Sequence, residues 1–251
     1  MNTSDDARKP YHSEMTRWWW LKQRYYRCYM LREATVLPLV FFLGCLLYCL
    51  YSVQQGATQW LAFSQFMQQG WVIALNTLAL LASLYHAKTF FALFPRVMPR
   101  TGSTDDCLAM VGLPRRYHSF TVVCRSAFMN TPKHSDEPIW WALFSAGGVC
   151  FAVLLPALML VLGILWPLGL VNPQWLSYPG LNELFAMAYG IPALIAAGAI
   201  ICLPLFHAAH RIHHGLHDLQ FGFRQVSKLL CYGLALLLSL LALALVLATQ
   251  A

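Results

Sequence analysis

Residues 207–219 read HAAHRIHHGLHDL, five histidines with Arg211 and Asp218 at the end of a long apolar run. Imidazoles at that density suit three chemistries: a transition metal held by ring nitrogens, a haem iron held axially, or a site that takes protons from a ligand. With about 100° per residue, His207, Arg211, His214 and Asp218 share one ridge of a helix, His210 lies beside it, and His213 and His217 fall further round. The His-x-x-x-His spacing argues against zinc, because no general-base glutamate of the HExxH kind accompanies it and no cysteine or carboxylate pair is near. Haem stays open, since His86 with His207 or His210 could supply two axial imidazoles from different helices. An interfacial helix end whose histidines bind headgroups or backbone is the plain structural alternative.

Other ionisable residues cluster in the same way at the ends of apolar runs. Arg32 and Glu33 precede one run, His86 and Lys88 close the next, and Asp136, Glu137 and Trp141 open a third. Polar groups at membrane depth are costly and mark substrate or proton paths. Glu33 is the most informative of them, although a carboxylate at a helix start also benefits from the macrodipole without any function.

These residues sit on elements that composition identifies as membrane-spanning. Of the 251 residues 59% are hydrophobic and 11% charged, outside the range of soluble domains. A hydrocarbon core about 30 Å thick requires roughly 20 apolar residues per helix. Five stretches qualify: 34–53, 71–91, 139–168, 184–206 and 229–248. None has the form of a removable leader, because the first follows more than 30 polar, basic and aromatic residues. The expected fold is therefore an all-α integral membrane protein with five transmembrane helices.

Orientation follows from the lysines and arginines, which cytoplasmic loops retain. Seven precede the first helix, seven lie between Lys88 and Lys133, three lie between Arg211 and Lys228, and none falls in 54–70 or 170–183. All seventeen thus belong to one side, which predicts a cytoplasmic N-terminus and a periplasmic C-terminus. The net charge of +7 is then a topology signal rather than a nucleic-acid footprint. The eight cysteines form no CxxC pair, and buried thiols are the expected state.

Residues 1–33 read as an aromatic and basic arm lying partly in the interface, and TQWLAFSQFMQQ as a short surface helix on the outer side. A weak internal echo is visible between LYHAKTF, ending the second span, and LFHAAHR, ending the fourth. The segment 98–130 is mixed and poorly periodic.

RKPYHSEMTRWWWLKQRYYRCYMLREATVLP together with LYHAKTFFALFP resembles the C subunit of bacterial quinol:fumarate reductase. KHSDEPIWWALFSAGG, GILWPLGL and LHDL after HRIHH resemble its D subunit. The resemblance divides the chain into a C-like part with two helices (1–97), an irregular connecting segment (98–130) and a D-like part with three helices (131–251). It implies a haemless membrane anchor that docks a flavoprotein and an iron–sulfur subunit on the cytoplasmic face of the bacterial inner membrane. Flavin and iron–sulfur clusters would belong to those partners, and menaquinol would be oxidised at the anchor, which is not itself the fumarate-reducing subunit. No metal site is implied. The matching quinone-binding positions are Arg32, Glu33, His86, Trp141, Phe144, Ser145, His210, Arg211 and His214, with Glu33 as proton acceptor. His207, His213 and His217 are expected only to line the interface. Ser145 stands where the family has a glycine, which would narrow the pocket. The C-like third helix is missing, and the abrupt change of composition points to a frameshift near 97–101 that runs to Met129. The competing readings are a haem b-bearing succinate:quinone reductase anchor and a purely structural anchor.

Overall fold

The computed structural model describes residues 16–97 and 137–249, which are helical with no strand among them. A 3₁₀ turn at Trp19–Leu21 leads into α1 (Arg24–Ala34), α2 (Val36–Gln55), α3 (Ala57–Met67) and α4 (Gly70–Val97). After the undescribed segment come α5 (Glu137–Val153), α6 (Leu155–Leu160), α7 (Tyr178–Ala186), α8 (Ile191–Ala197), α9 (Leu203–Asp218) and α10 (Arg224–Ala248). A π-helical turn at Val161–Leu165 extends α6, and another at Gly198–Cys202 joins α8 to α9. The short helix read from TQWLAFSQFMQQ is α3.

Four continuous helices are long and apolar enough to cross a membrane: Arg24–Gln55, Gly70–Ala92, Ile191–Asp218 and Arg224–Ala248. The pair Ile139–Val153 and Leu155–Leu165, bent by 46°, is a fifth candidate crossing when taken as one broken span. The chain is a multi-pass membrane protein, with three departures from the expected spans.

The first span begins ten residues early. α1 and α2 form one 32-residue helix, because Thr35 keeps right-handed helical angles and its hydroxyl donates to the Arg32 carbonyl at 2.6 Å. The arm expected to lie in the interface is therefore helical from Arg24. Glu33 falls within this helix rather than at its N-terminus, so the macrodipole does not account for it.

The third span bends because Pro156 lacks the N–H that would bond back one turn. The fourth shifts toward the C-terminus. Gly190 takes a left-handed φ of 71° and Pro192 starts α8, detaching α7 from the span. Starting at Ile191, the span carries the histidine run inside its last turns instead of after its end.

Packing follows membrane rules, where close backbone approach replaces hydrophobic exclusion. Ala79, Ala197, Ala208, Ala209, Ala235 and Ala242 are buried between helices around Leu39, Phe42, Phe151, Leu155 and Met159. α10 turns Leu229, Leu230, Leu234, Leu237 and Leu240 outward, the lipid-facing pattern of a span. Gly147 provides the tightest approach: a Cβ there would meet the Leu203 carbonyl oxygen and would lie 2.7 Å from His207 Cβ. Among the described cysteines all are free; Cys45 and Cys150 are buried as expected, whereas Cys28 is exposed.

Candidate functional site

The charged residues of α1 and α9 meet at one end of the bundle. Trp19 donates its indole N–H to the Asp218 carbonyl at 2.9 Å, Tyr29 donates its hydroxyl to the Asp218 carboxylate at 2.8 Å, and Arg17 lies 5.3 Å from the centre of the Phe221 ring. The opposite end is aromatic, with Trp60 stacked on Trp166 at 5.4 Å.

Within the charged end, Arg32, Glu33 and Arg211 form an ionic node. Glu33 Oε1 accepts from Arg32 at 3.1 Å and Oε2 lies 3.4 Å from Arg211 Nη1, which also donates to the Arg32 carbonyl at 2.7 Å. The Arg211 side chain is 7% exposed and that of Glu33 15%. A guanidinium at this depth requires such partners, because an unpaired buried charge is strongly unfavourable.

Beside the node, α5 and α9 interleave aromatic rings. Phe144 lies flat against His207, with ring centres 4.6 Å apart and planes at 6°, and 4.4 Å from His210. Trp141 adds a third ring, 5.3 Å from His210, and His214 follows at 4.2 Å on the other side. His210 Nδ1 is 2.7 Å from the Tyr232 hydroxyl of α10, and His213 Nδ1 is 3.0 Å from the Ser227 hydroxyl. Helical periodicity places Trp141 and Phe144 one turn apart, and the glycine pair Gly147–Gly148 lets α9 close on them.

Of the nine residues named from sequence, Arg32, Glu33 and Arg211 are joined directly, and Trp141, Phe144, His210 and His214 form the ring stack. His86 is 3% exposed and lies deeper, stacked on Phe151 at 4.5 Å. Ser145 stands apart: its side chain is exposed on the outer face of α5 and does not narrow the packed rings. Trp141 is also 55% exposed. His207 is 2% exposed and central, although the resemblance left it outside the quinone-binding set with only a lining role. The signal that could have found it was the echo of LYHAKTF in LFHAAHR, which aligns His207 with His86.

A single haem would need two imidazoles facing each other across a macrocycle. His86 and His207 instead meet edge to face, centres 5.5 Å apart and planes at 81°, while Phe151 and Phe144 cover their other faces. Among the described residues no three His, Cys, Asp or Glu side chains converge to hold a metal ion. A cavity of about 420 Å³ lies elsewhere, lined by Phe42, Cys45, Trp60, Phe63, Trp166 and Ile201, and none of the nine residues borders it.

The structure is thus a multi-pass helical bundle with an ionic and aromatic cluster at one end. The fumarate reductase C-subunit family matches residues 6–131 and the fumarate reductase D-subunit family residues 131–247, so the chain belongs to both, fused end to end. The fumarate reductase D subunit of Vibrio vulnificus is 48% identical over 111 residues, covering 44% of this chain and 86% of that one. The D subunit of Vibrio cholerae is 46% identical over 125 residues, 49% of this chain and 94% of its own. The C subunit of Aliivibrio fischeri is 54% identical over 92 residues, 37% of this chain and 72% of that one. No solved structure matches. Such proteins anchor a complex that includes flavoprotein and iron–sulfur subunits. The segment 98–130, read from sequence as an out-of-frame junction, lies outside the described residues, and the C-subunit match runs through it.

Proposed function

We propose that this chain anchors a quinol:fumarate reductase in the bacterial inner membrane and oxidises menaquinol at the charged end of the bundle. That end faces the cytoplasm, where the flavoprotein and iron–sulfur subunits dock, and the C-terminus emerges in the periplasm. The observation carrying the reading is the Glu33–Arg211 ion pair, a half-buried carboxylate and a buried guanidinium held beside a stack of aromatic rings at one end of a helical bundle.

Oxidation of a quinol to a quinone releases two protons and two electrons. The electrons pass to the docked iron–sulfur subunit and on to fumarate. The protons need acceptors within hydrogen-bond reach of the hydroxyls. Glu33 takes one: Oε1 is engaged by Arg32, whereas Oε2 meets Arg211 alone among the described residues and retains a lone pair for a quinol hydroxyl. Arg211 holds the carboxylate in place and His210, oriented by Tyr232, hydrogen-bonds the ligand. Trp141 and Phe144 wall the ring, and the exposure of Trp141 suits a site completed by the docked iron–sulfur subunit. The edge-to-face packing of His86 and His207 supports a haemless anchor.

Glu33→Gln is expected to lower menaquinol-driven fumarate reduction by about 100-fold, the usual worth of a positioned proton acceptor, while the complex still assembles and reduces fumarate with a dye donor. Wild-type menaquinol turnover in that variant would remove Glu33 from the mechanism.

A further inference from the structure

His86 and His207 hold matching positions in LYHAKTF and LFHAAHR, and the fold brings these two histidines, from α4 and α9, into contact at 5.5 Å between ring centres. They are 3% and 2% exposed, and Phe151 and Phe144 cover their faces. Among the described residues, of the four ring nitrogens only His207 Nδ1 has a protein partner, the Phe144 carbonyl at 2.8 Å. His207 Nε2 and both nitrogens of His86 are buried without one.

The chemistry of that one bond assigns the rest. A carbonyl only accepts, so Nδ1 of His207 carries the hydrogen, and in a neutral imidazole Nε2 is left as a lone pair. Buried polar atoms find partners, in the protein or through ordered water. His86, whose ring meets His207 edge to face, has an N–H to give. The other nearby donor is Arg211, one turn along α9, whose Nε is also buried without a partner among the described residues but whose Nη1 is already committed to Glu33 and the Arg32 carbonyl. Once one nitrogen of His86 donates, the other becomes an acceptor, because the bond made by one ring nitrogen sets the role of its neighbour.

We propose that His207 is a positioning residue for His86: its Nε2 takes the His86 N–H through one buried water, and so fixes which His86 nitrogen offers a lone pair to a quinol hydroxyl. The proposal rests on menaquinol oxidation at this end of the bundle. It gives a role to the internal echo and to a histidine that the quinone-binding set leaves out.

The test uses the full chain assembled with its flavoprotein and iron–sulfur subunits in membranes. His207→Phe keeps the stack on Phe144 and removes the acceptor, whereas His207→Gln retains an acceptor oxygen. His207→Phe is expected to lower kcat with a short-chain menaquinol by roughly fivefold to tenfold, the worth of one neutral hydrogen bond, at unchanged KM and unchanged dye-driven turnover. His207→Gln is expected to recover most of the loss. Wild-type turnover in His207→Phe, or equal losses in the two variants, would overturn the assignment. If dye-driven activity also falls in His207→Phe, ¹⁵N NMR of His86 in the unsubstituted complex decides: one fixed tautomer supports the pair and a mixture refutes it. Should Glu33→Gln lower quinol turnover while the His207 variants leave it alone, only this inference fails. Should Glu33→Gln also turn over at the wild-type rate, the quinol-site reading itself fails.

Discussion

Arg211 and Glu33 lie far apart in the chain yet meet at 3.4 Å, and the same guanidinium binds the Arg32 carbonyl at 2.7 Å. One side chain from α9 thereby fixes the junction of α1 and α2 and orients the carboxylate there. The D-like part of the chain holds the carboxylate contributed by the C-like part.

That pair can be separated energetically. Arg211→Met leaves Glu33 with Arg32 alone and is expected to destabilise the complex by up to about 3 kcal/mol, the lower end of what breaking a buried pair costs. Adding Glu33→Gln removes the stranded charge and should restore part of the stability but none of the quinol activity. Thermal inactivation of dye-driven turnover in the two single variants and the double variant measures the coupling.

Close approach of α5 and α9 depends on Gly147. Gly147→Ala drives a methyl group into the Leu203 carbonyl and His207 Cβ, so the helices must part and the ring stack loosen. A cost of about 1–3 kcal/mol and loss of menaquinol turnover are expected, as for other overpacked sites. Gly215→Ala, on the same α9 but with open space around it, is the control and should be neutral or slightly stabilising. Equal behaviour of the two variants would contradict the packing described.

Tyr29 ties α1 to the end of α9 through Asp218. Tyr29→Phe removes that bond and should lower stability by about 1 kcal/mol without changing KM for menaquinol, since the hydroxyl lies outside the acceptor group. A raised KM would bring Tyr29 into the binding site.

Purified complex containing this chain is expected to show no Soret absorption if the anchor is haemless as proposed; His86 and His207 meet edge to face rather than across a gap. A stoichiometric b-type spectrum would instead favour the succinate:quinone reductase reading.

Much of this was legible in the residues. The run of apolar segments dictated spans, the one-sided lysines and arginines dictated which ends share a face, and together they drew Glu33, His86 and the histidine run into one layer. Those are local properties: hydropathy and charge act on each segment independently of its neighbours. Helix boundaries were less legible. Thr35 continues a helix that the polar arm seemed to end, and Gly190 with Pro192 moves the fourth span past the histidines.

Contacts within the layer were decided only by tertiary structure. The family resemblance placed Ser145 in the site and left His207 at its margin, but the approach of α5 to α9 through Gly147 leaves Ser145 exposed and buries His207 against Phe144 and His86. The period of a helix fixes which residues share a face. Which neighbour that face meets, and at what distance, depends on backbone approach between segments far apart in the chain, and so does the partnering of Glu33 by Arg211.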